Sequence, residues 1–225
     1  MENNTRCIAT GADEDHEWML PWWYENYTKH NTTPIVFGNF GMSSTMVKWC
    51  ASRGKVIDLV SNMPMIKNWF KKPSIITRCG YEQCIMMDSD CQVQSNLDFM
   101  FDKYCRVGWV GLTRDTPTQF NTQFTKNPVA AGVVVTYSDN ELIREWEHRC
   151  LNETELRGDQ EVLIKLLTDR NNSRNLATKI VLMPPECQWL RLQGKRTDVP
   201  IMHWSGRIGK ETIRGMIVNE NNENI

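Results

Sequence analysis

Strand-like and helix-like stretches alternate along almost the whole 225-residue chain. This pattern leaves little choice of architecture, because a strand and the helix after it bury their apolar sides together only when helices stack on a sheet. CIATGA (7–12) reads as a strand ending in a glycine turn, and a helix follows from about Glu17 to His30. TPIVFGNFG (33–41) is a second strand, MSSTMVKWCASRG (42–54) a helix closed by Gly54, and KVIDLV (55–60) a third strand. MIKNWFKKPSIITRC (65–79) reads as one helix, or as two short ones broken at Pro73. CIMMDSD (84–90) is the next strand. SNLDFMFDKY (95–104) is a helix opened by a Ser or Asn cap, with Leu97, Met100, Phe101 and Tyr104 on one face. GVVVTY (132–137) precedes a helix whose capping box pairs Ser138 with Glu141. GDQEVLIKLLTDR (158–170) is helical, and KIVLMP and VPIMHWSG are the closing strands. The expected fold class is α/β, a mainly parallel central sheet flanked by helices. It forms one domain over 1–218, with a fraying tail at 219–225.

Charged residues make up 24% of the chain, hydrophobic ones 40%, and the formal net charge is −1, so no global field draws it to nucleic acid or an anionic membrane. The apolar run VAAGVVV (129–135) is far shorter than the ~20 residues that span a bilayer. MENNTRCIATG lacks the basic and apolar regions of a secretory signal, and a cytoplasmic protein is expected. The eight cysteines read as buried, reduced thiols. Cys79, Cys84 and Cys91 stand in a C-x4-C-x6-C spacing without paired C-x2-C, so no zinc site is expected there.

In open α/β sheets ligands bind beyond the carboxyl ends of the strands, and the polar clusters of this chain fall there. Asp88 and Asp90, either side of Ser89, are two residues apart, so in extended geometry both carboxylates point the same way and can meet one cation. Hard oxygen donors of this kind suit Mg²⁺ or Mn²⁺ holding a diphosphate. Asp159 and Gln160 open a helix, where an aspartate can equally be a cap. His203 ends a strand, and Gly206, Gly209 and Lys210 follow in what reads as a flexible basic loop.

Taken in order, CIATGAD, MMDSD, GDQ and HWSGRIGK resemble the motif series of the GT-A glycosyltransferases, in particular the glycogenin-like and lipopolysaccharide galactosyltransferase-like families. The resemblance implies a GT-A-like, Rossmann-type layer and transfer of a sugar from a nucleotide diphosphate donor, a UDP-sugar, with retention. By the same resemblance Asp88, Ser89 and Asp90 meet nucleotide, while Asp88, Asp90 and His203 hold Mn²⁺ or Mg²⁺. Gly206 and Lys210 meet the diphosphate, and Thr10, Gly11, Ala12 and Asp13 meet base and ribose. The resemblance also puts Asp159 and Gln160 at the sugar, Gln160 through its carbonyl; Arg78, by its position a turn or so before the metal strand, contacts phosphate or a carboxylate, or is a plain surface cation. Where those families carry Asn-x-Gly, this chain has Ala130, Ala131 and Gly132.

The acceptor side falls to the stretch 113–128. The acceptor is a glycan, a protein, or hydroxymethylated bases of DNA as in a phage enzyme. The DNA reading requires Lys71, Lys72, Arg78, Arg191, Lys195, Arg196 and Arg207 to gather on one face. Two alternatives stand beside the transferase: a haloacid-dehalogenase-like phosphatase with Asp88 as nucleophile, and a non-catalytic nucleotide-sugar binding module. WMLPWWYENY offers either a carbohydrate platform or core packing.

Overall fold

The computed structural model describes residues 5–60, 67–115, 129–168 and 179–223. Its elements run β1 (Arg6–Ala12), α1 (Met19–Thr28), β2 (Ile35–Asn39), α2 (Ser44–Ala51), β3 (Lys55–Asp58), α3 (Lys72–Arg78), β4 (Gln83–Met87), β5 (Cys91–Val93) and α4 (Asp98–Tyr104). They continue β6 (Val110–Arg114), β7 (Val129–Tyr137), α5 (Glu141–Leu151), α6 (Asp159–Thr168), β8 (Ile180–Met183), β9 (Trp189–Leu190), β10 (Ile201–His203) and α7 (Gly206–Glu223). The central sheet has the order β3-β2-β1-β4-β7-β6-β8. Strands β3, β2, β1 and β4 are mutually parallel, β7 runs against both β4 and β6, and β8 lies parallel to β6.

Both faces of this sheet are covered, which is why its strands are apolar at consecutive positions rather than alternate ones. Ile8, Phe37, Ile85 and Val135 face a core completed by α1, α2, α4 and α7. Ala9, Val36, Met86 and Val134 face a second core, completed by α3, α5 and α6. The Trp-rich segment belongs to the first: Trp22 and Trp23 are buried, and Trp23 stacks on Tyr27 at 5.3 Å between ring centroids. It is packing, not a sugar platform.

Several local expectations change. Pro73 does not break a helix. It stands in the first turn of α3, where a missing N–H costs nothing, after a 3-10 turn over Asn68–Lys71. The cap of α5 is Asn140, whose side chain accepts from the N–H groups of Leu142 and Ile143, in place of Ser138. At α4 the capping oxygen is that of Asn96, which accepts from Asp98 N at 2.9 Å, while Leu97 holds the cap position. The stretch after His203 is not a loop, because GRIGK opens the 18-residue helix α7. Its glycines serve close packing: a Cβ at Gly209 would lie 1.8 Å from the Trp204 carbonyl oxygen. Gly206, at φ +74°, turns the chain into the helix. The backbone remains helical to Glu223, so the expected tail 219–225 begins inside α7.

A second sheet, β5-β10-β9, sits beyond the end of β4. Strand β10 pairs antiparallel with β5 so that His203 faces Cys91, and Trp204 N donates to Asp90 O at 3.0 Å. That register carries a residue more than a hundred positions downstream to the acidic turn.

Candidate active site

One cleft of about 330 Å³ opens at the carboxyl ends of β1 and β4. Gly11, Ala12 and Asp13 line it from β1, and Asn68, Trp69 and Lys72 from the start of α3. Asp88, Ser89 and Asp90 follow from the end of β4, Gly158 and Asp159 from the start of α6, and Lys210 from α7. Gly11 is required by close approach, since a Cβ there would sit 2.7 Å from the Phe40 ring.

The acidic pair converges for a different reason from the expected one. Strand β4 stops at Met87. Asp88–Cys91 is a tight turn closed by Cys91 N–H donating to Asp88 O at 3.0 Å, while Asp88 N donates to Gly132 O at 2.9 Å. His203 Nε2 lies 3.1 Å from Asp90 Oδ1 and 3.9 Å from Asp88 Oδ2. Lys210 Nζ lies 3.3 Å from Asp90 Oδ2. Burial opposes ionisation of Asp90, but the His203 and Lys210 charges outweigh it and hold this carboxyl below its usual range. Burial likewise works against a charged His203, and Asp90 outweighs it, so the imidazole is raised.

Lys72, named in the sequence only among the cations that a DNA acceptor would require, links the acidic turn to Asp159. Its Nζ is 2.9 Å from Asp88 Oδ1 and 2.8 Å from Asp159 Oδ2, and it is buried. Burial pushes the Asp159 carboxyl up to about 6, Lys72 pulls it down, and the neighbouring Asp88 charge adds to the rise. Burial alone would lower Lys72, yet Asp159 and Asp88 keep it raised and charged.

Gln188 is the second residue the sequence did not disclose. Its Oε1 accepts from Val133 N at 2.9 Å and from Thr113 Oγ1 at 3.2 Å, so its Nε2 must be the group that donates to His203 Nδ1 at 3.1 Å. A neutral His203 held this way carries its proton on Nε2, facing the carboxylates. Gly132 makes room for the arrangement: a Cβ there would lie 2.5 Å from His203 Cε1 and 2.6 Å from Gln188 Nε2. Asp90, Cys91 and His203 offer possible ligand atoms within 4.8 Å of one another. Burial raises the Cys91 thiol well above its usual range, and it donates to Gly132 O at 3.8 Å.

Asp13 binds the His16 ring at 2.7 Å and accepts from Asn68 Nδ2 at 3.0 Å. The His16 hydrogen bond, opposed by burial and helped by Asn68, lowers its carboxyl to about 2. Thr10 is buried beneath the cleft and does not line it. Gly206 stays outside the lining, at the helix start. Gln160 turns away: its Oε1 accepts from Ala131 N at 3.0 Å and its Nε2 donates to Asp115 at 2.7 Å, so the carbonyl expected at the sugar is spent on β7. Arg78 leaves the cleft entirely, since it ends α3 on the side away from the strand ends and pairs with Glu147 at 3.0 Å. Among the other cations named for DNA, Lys71 is buried on Phe40 O and Asn68, Arg191 donates to Ser205 O, Arg196 pairs with Asp198 and Glu186, and Arg207 with Glu211.

No family model matches this chain, and no curated protein matches it in sequence. Solved structures do match. The galactosyltransferase LgtC, in complex with donor and acceptor sugar analogues, superposes with a TM-score of 0.63 at 14% identity, over 89% of this chain and 87% of that one. The chain has a GT-A glycosyltransferase fold. GlyE of Streptococcus pneumoniae TIGR4 gives a TM-score of 0.65 at 14% identity over 90% of this chain, and the bifunctional glycosyltransferase WbbM 0.63 at 12% over 92%. The match spans 55% of GlyE and 46% of WbbM. Among the described residues no helix is long and apolar enough to cross a membrane.

Proposed function

We propose that this GT-A chain is a divalent-metal-dependent glycosyltransferase that moves a sugar, with retention, from a UDP-sugar to an acceptor hydroxyl. The observation that carries the reading is the meeting of Asp88, Asp90, His203 and Lys210 in one cleft, with Lys72 linking Asp88 to Asp159 beside them. A volume of about 330 Å³ is within the range of small-molecule sites, about 300–1,000 Å³.

The donor set suits Mn²⁺ or Mg²⁺: two carboxylates supply hard oxygens, and an imidazole lies beside them. His203 joins as a ligand only once its Nε2 proton is shed and the Gln188 amide gives way, because the present hydrogen bonds fix the opposite tautomer. The ion, when bound, supplies positive charge to a departing diphosphate. Lys210, on α7 beside Asp90, would supply a second positive charge to that diphosphate. Asp159, at the start of α6, orients hydroxyls of the donor sugar, and Lys72 holds that carboxylate ionised and in place. Asp13, fixed by His16 and Asn68, meets ribose and base at the other rim. Gln160 acts through the backbone of β7 as a positioning residue.

The acceptor is a hydroxyl on a glycan or protein. Hydroxymethylated DNA is disfavoured because four of the cations it needs, Lys71, Lys72, Arg78 and Arg196, are engaged elsewhere. Most of the stretch assigned to the acceptor, from 116 to 128, lies outside the described residues. The GT-A fold disfavours the phosphatase alternative. Calorimetric titration of a UDP-sugar with Mn²⁺, repeated in excess chelator, tests the proposal: equal affinity in both sinks the metal role. Turnover of the bound donor separates an enzyme from a binding module.

A further inference from the structure

At the opposite end of the same strands, three thiols meet. Cys7 of β1 and Cys84 of β4 are cross-strand partners in the parallel register, and Cys79, which caps α3, closes over them. All three are fully buried in the second core, and their sulfurs lie within 4.8 Å of one another. We propose that Cys7, Cys79 and Cys84 form a three-sulfur site for a thiophilic metal ion of the Zn²⁺ class, which clasps the end of α3 to β1 and β4. The C-x4-C-x6-C spacing hid it, because Cys91 belongs to the other core and the third sulfur comes from β1.

Geometry and charge both support the site. A metal–sulfur bond of about 2.3 Å sets sulfurs about 4 Å apart around a shared ion, within the spread of this cluster. Soft thiolates select such ions over the hard cations suited to carboxylates. A divalent ion on three thiolates leaves one net negative charge, and a cation stands ready to offset it: Lys55 Nζ donates to Cys79 O at 2.8 Å. Cys79 Sγ accepts from Tyr81 N at 3.4 Å, and as a thiol it donates to Tyr81 O at 3.5 Å, a bond it gives up on binding a metal. The turn after Cys79 comes to the surface at Gly80, which is exposed at φ +78°.

The consequence for the rest of the chain runs along α3, which begins with Lys72 in the cleft and ends at Cys79. Fixing one end restrains the other. The inference does not rest on the proposed activity, and its test reads sulfur alone. Anaerobic titration of the reduced chain with Cd²⁺ should give a sulfur-to-metal charge-transfer band that saturates at one ion per chain, with a rise in Tm. Cys79→Ser should lose both, while Cys150→Ser and His203→Ala keep them, and Zn²⁺ should displace Cd²⁺. X-ray absorption on the unsubstituted chain should read three sulfurs around the ion, which decides the matter even if the serine variant does not fold. An absent band, a band that survives Cys79→Ser, or a shell of oxygen and nitrogen overturns the proposal.

Discussion

Replacing Lys72 by methionine keeps the stem and removes the ammonium that lies between Asp88 and Asp159. At separations of 2.9 and 2.8 Å each ion pair has a Coulomb energy of about 6 kcal/mol at an effective dielectric near 20. Most of that is cancelled by the cost of burying the charges, and deleting one partner of a buried pair typically destabilises by about 3–5 kcal/mol. The lower end applies here, because the Asp88 side chain is 25% exposed and Asp159 can take up a proton. The pH dependence separates this account from simple loss of packing. Lys72 is raised, so its own charge persists at every working pH. Asp159 is already raised to about 6, and loss of Lys72 lifts it further. Above the variant's higher value the ionised carboxylate has lost its counter-charge, at about 1.4 kcal/mol per unit of added shift. Well below 6 both proteins hold Asp159 protonated and that part of the penalty vanishes. Urea unfolding at pH 8 and pH 5 should therefore give a loss of about 3 kcal/mol at pH 8 and a clearly smaller one at pH 5. A loss below about 1 kcal/mol at both, or the same loss at both, refutes the reasoning.

Three other outcomes can be measured on the same preparation. Asp159→Asn should lower turnover by orders of magnitude with little change in nucleotide affinity by calorimetry, whereas a mere helix cap would leave turnover intact and lower stability by about 1 kcal/mol. Gly132→Ala forces a methyl to within 2.5 Å of the His203 ring, so a loss of about 1–3 kcal/mol in thermal unfolding should accompany loss of Mn²⁺-dependent donor binding; undiminished binding contradicts the assigned packing. Gln188→Glu still accepts from Val133 N but no longer donates to His203 Nδ1, which frees the Nε2 lone pair, and Mn²⁺ affinity should rise by about tenfold; an unchanged or lower affinity removes His203 from the ligand set.

The local pattern of apolar strands disclosed the layers because burial on both faces of a sheet leaves its mark on consecutive residues of β1, β2, β4 and β7. Acid–base identity exposed Asp88, Asp90 and Asp159, since carboxylates at strand and helix ends are visible one at a time. What stayed hidden depends on tertiary register. Lys72 follows another lysine and precedes Pro73, a context that reads as solvent-facing. Only the placement of Pro73 in the first turn of α3, aimed at the strand ends, sends that lysine inward. Gln188 lies in a 3-10 turn with no periodicity, and its role rests on Val133, fifty-five residues away. The glycines after His203 misled for a related reason: the chain uses Gly209 for closeness to Trp204, and in the sequence closeness and flexibility look alike.

The two ammonium groups of the site are held on unequal terms, and this bears on how a diphosphate could enter beside Asp88, Asp90 and Asp159. Lys72 is 10% exposed at its side chain and sits under 3 Å from two acids on different elements, so moving it would strand both. Lys210 is 30% exposed, and its ion pair with Asp90 is longer, at 3.3 Å. Asp90 has a second cationic neighbour in His203 and remains compensated if Lys210 swings away. On the transferase reading, Lys72 is then scaffold, holding Asp88 and Asp159 at a set spacing whatever is bound. Lys210 is the exchangeable counter-charge, free to pass from Asp90 to an incoming phosphate oxygen as a divalent cation takes its place at the carboxylate. A metal and a diphosphate that arrive together bring nearly cancelling charge, so the exchange leaves the electrostatic balance of the buried cluster close to what it was.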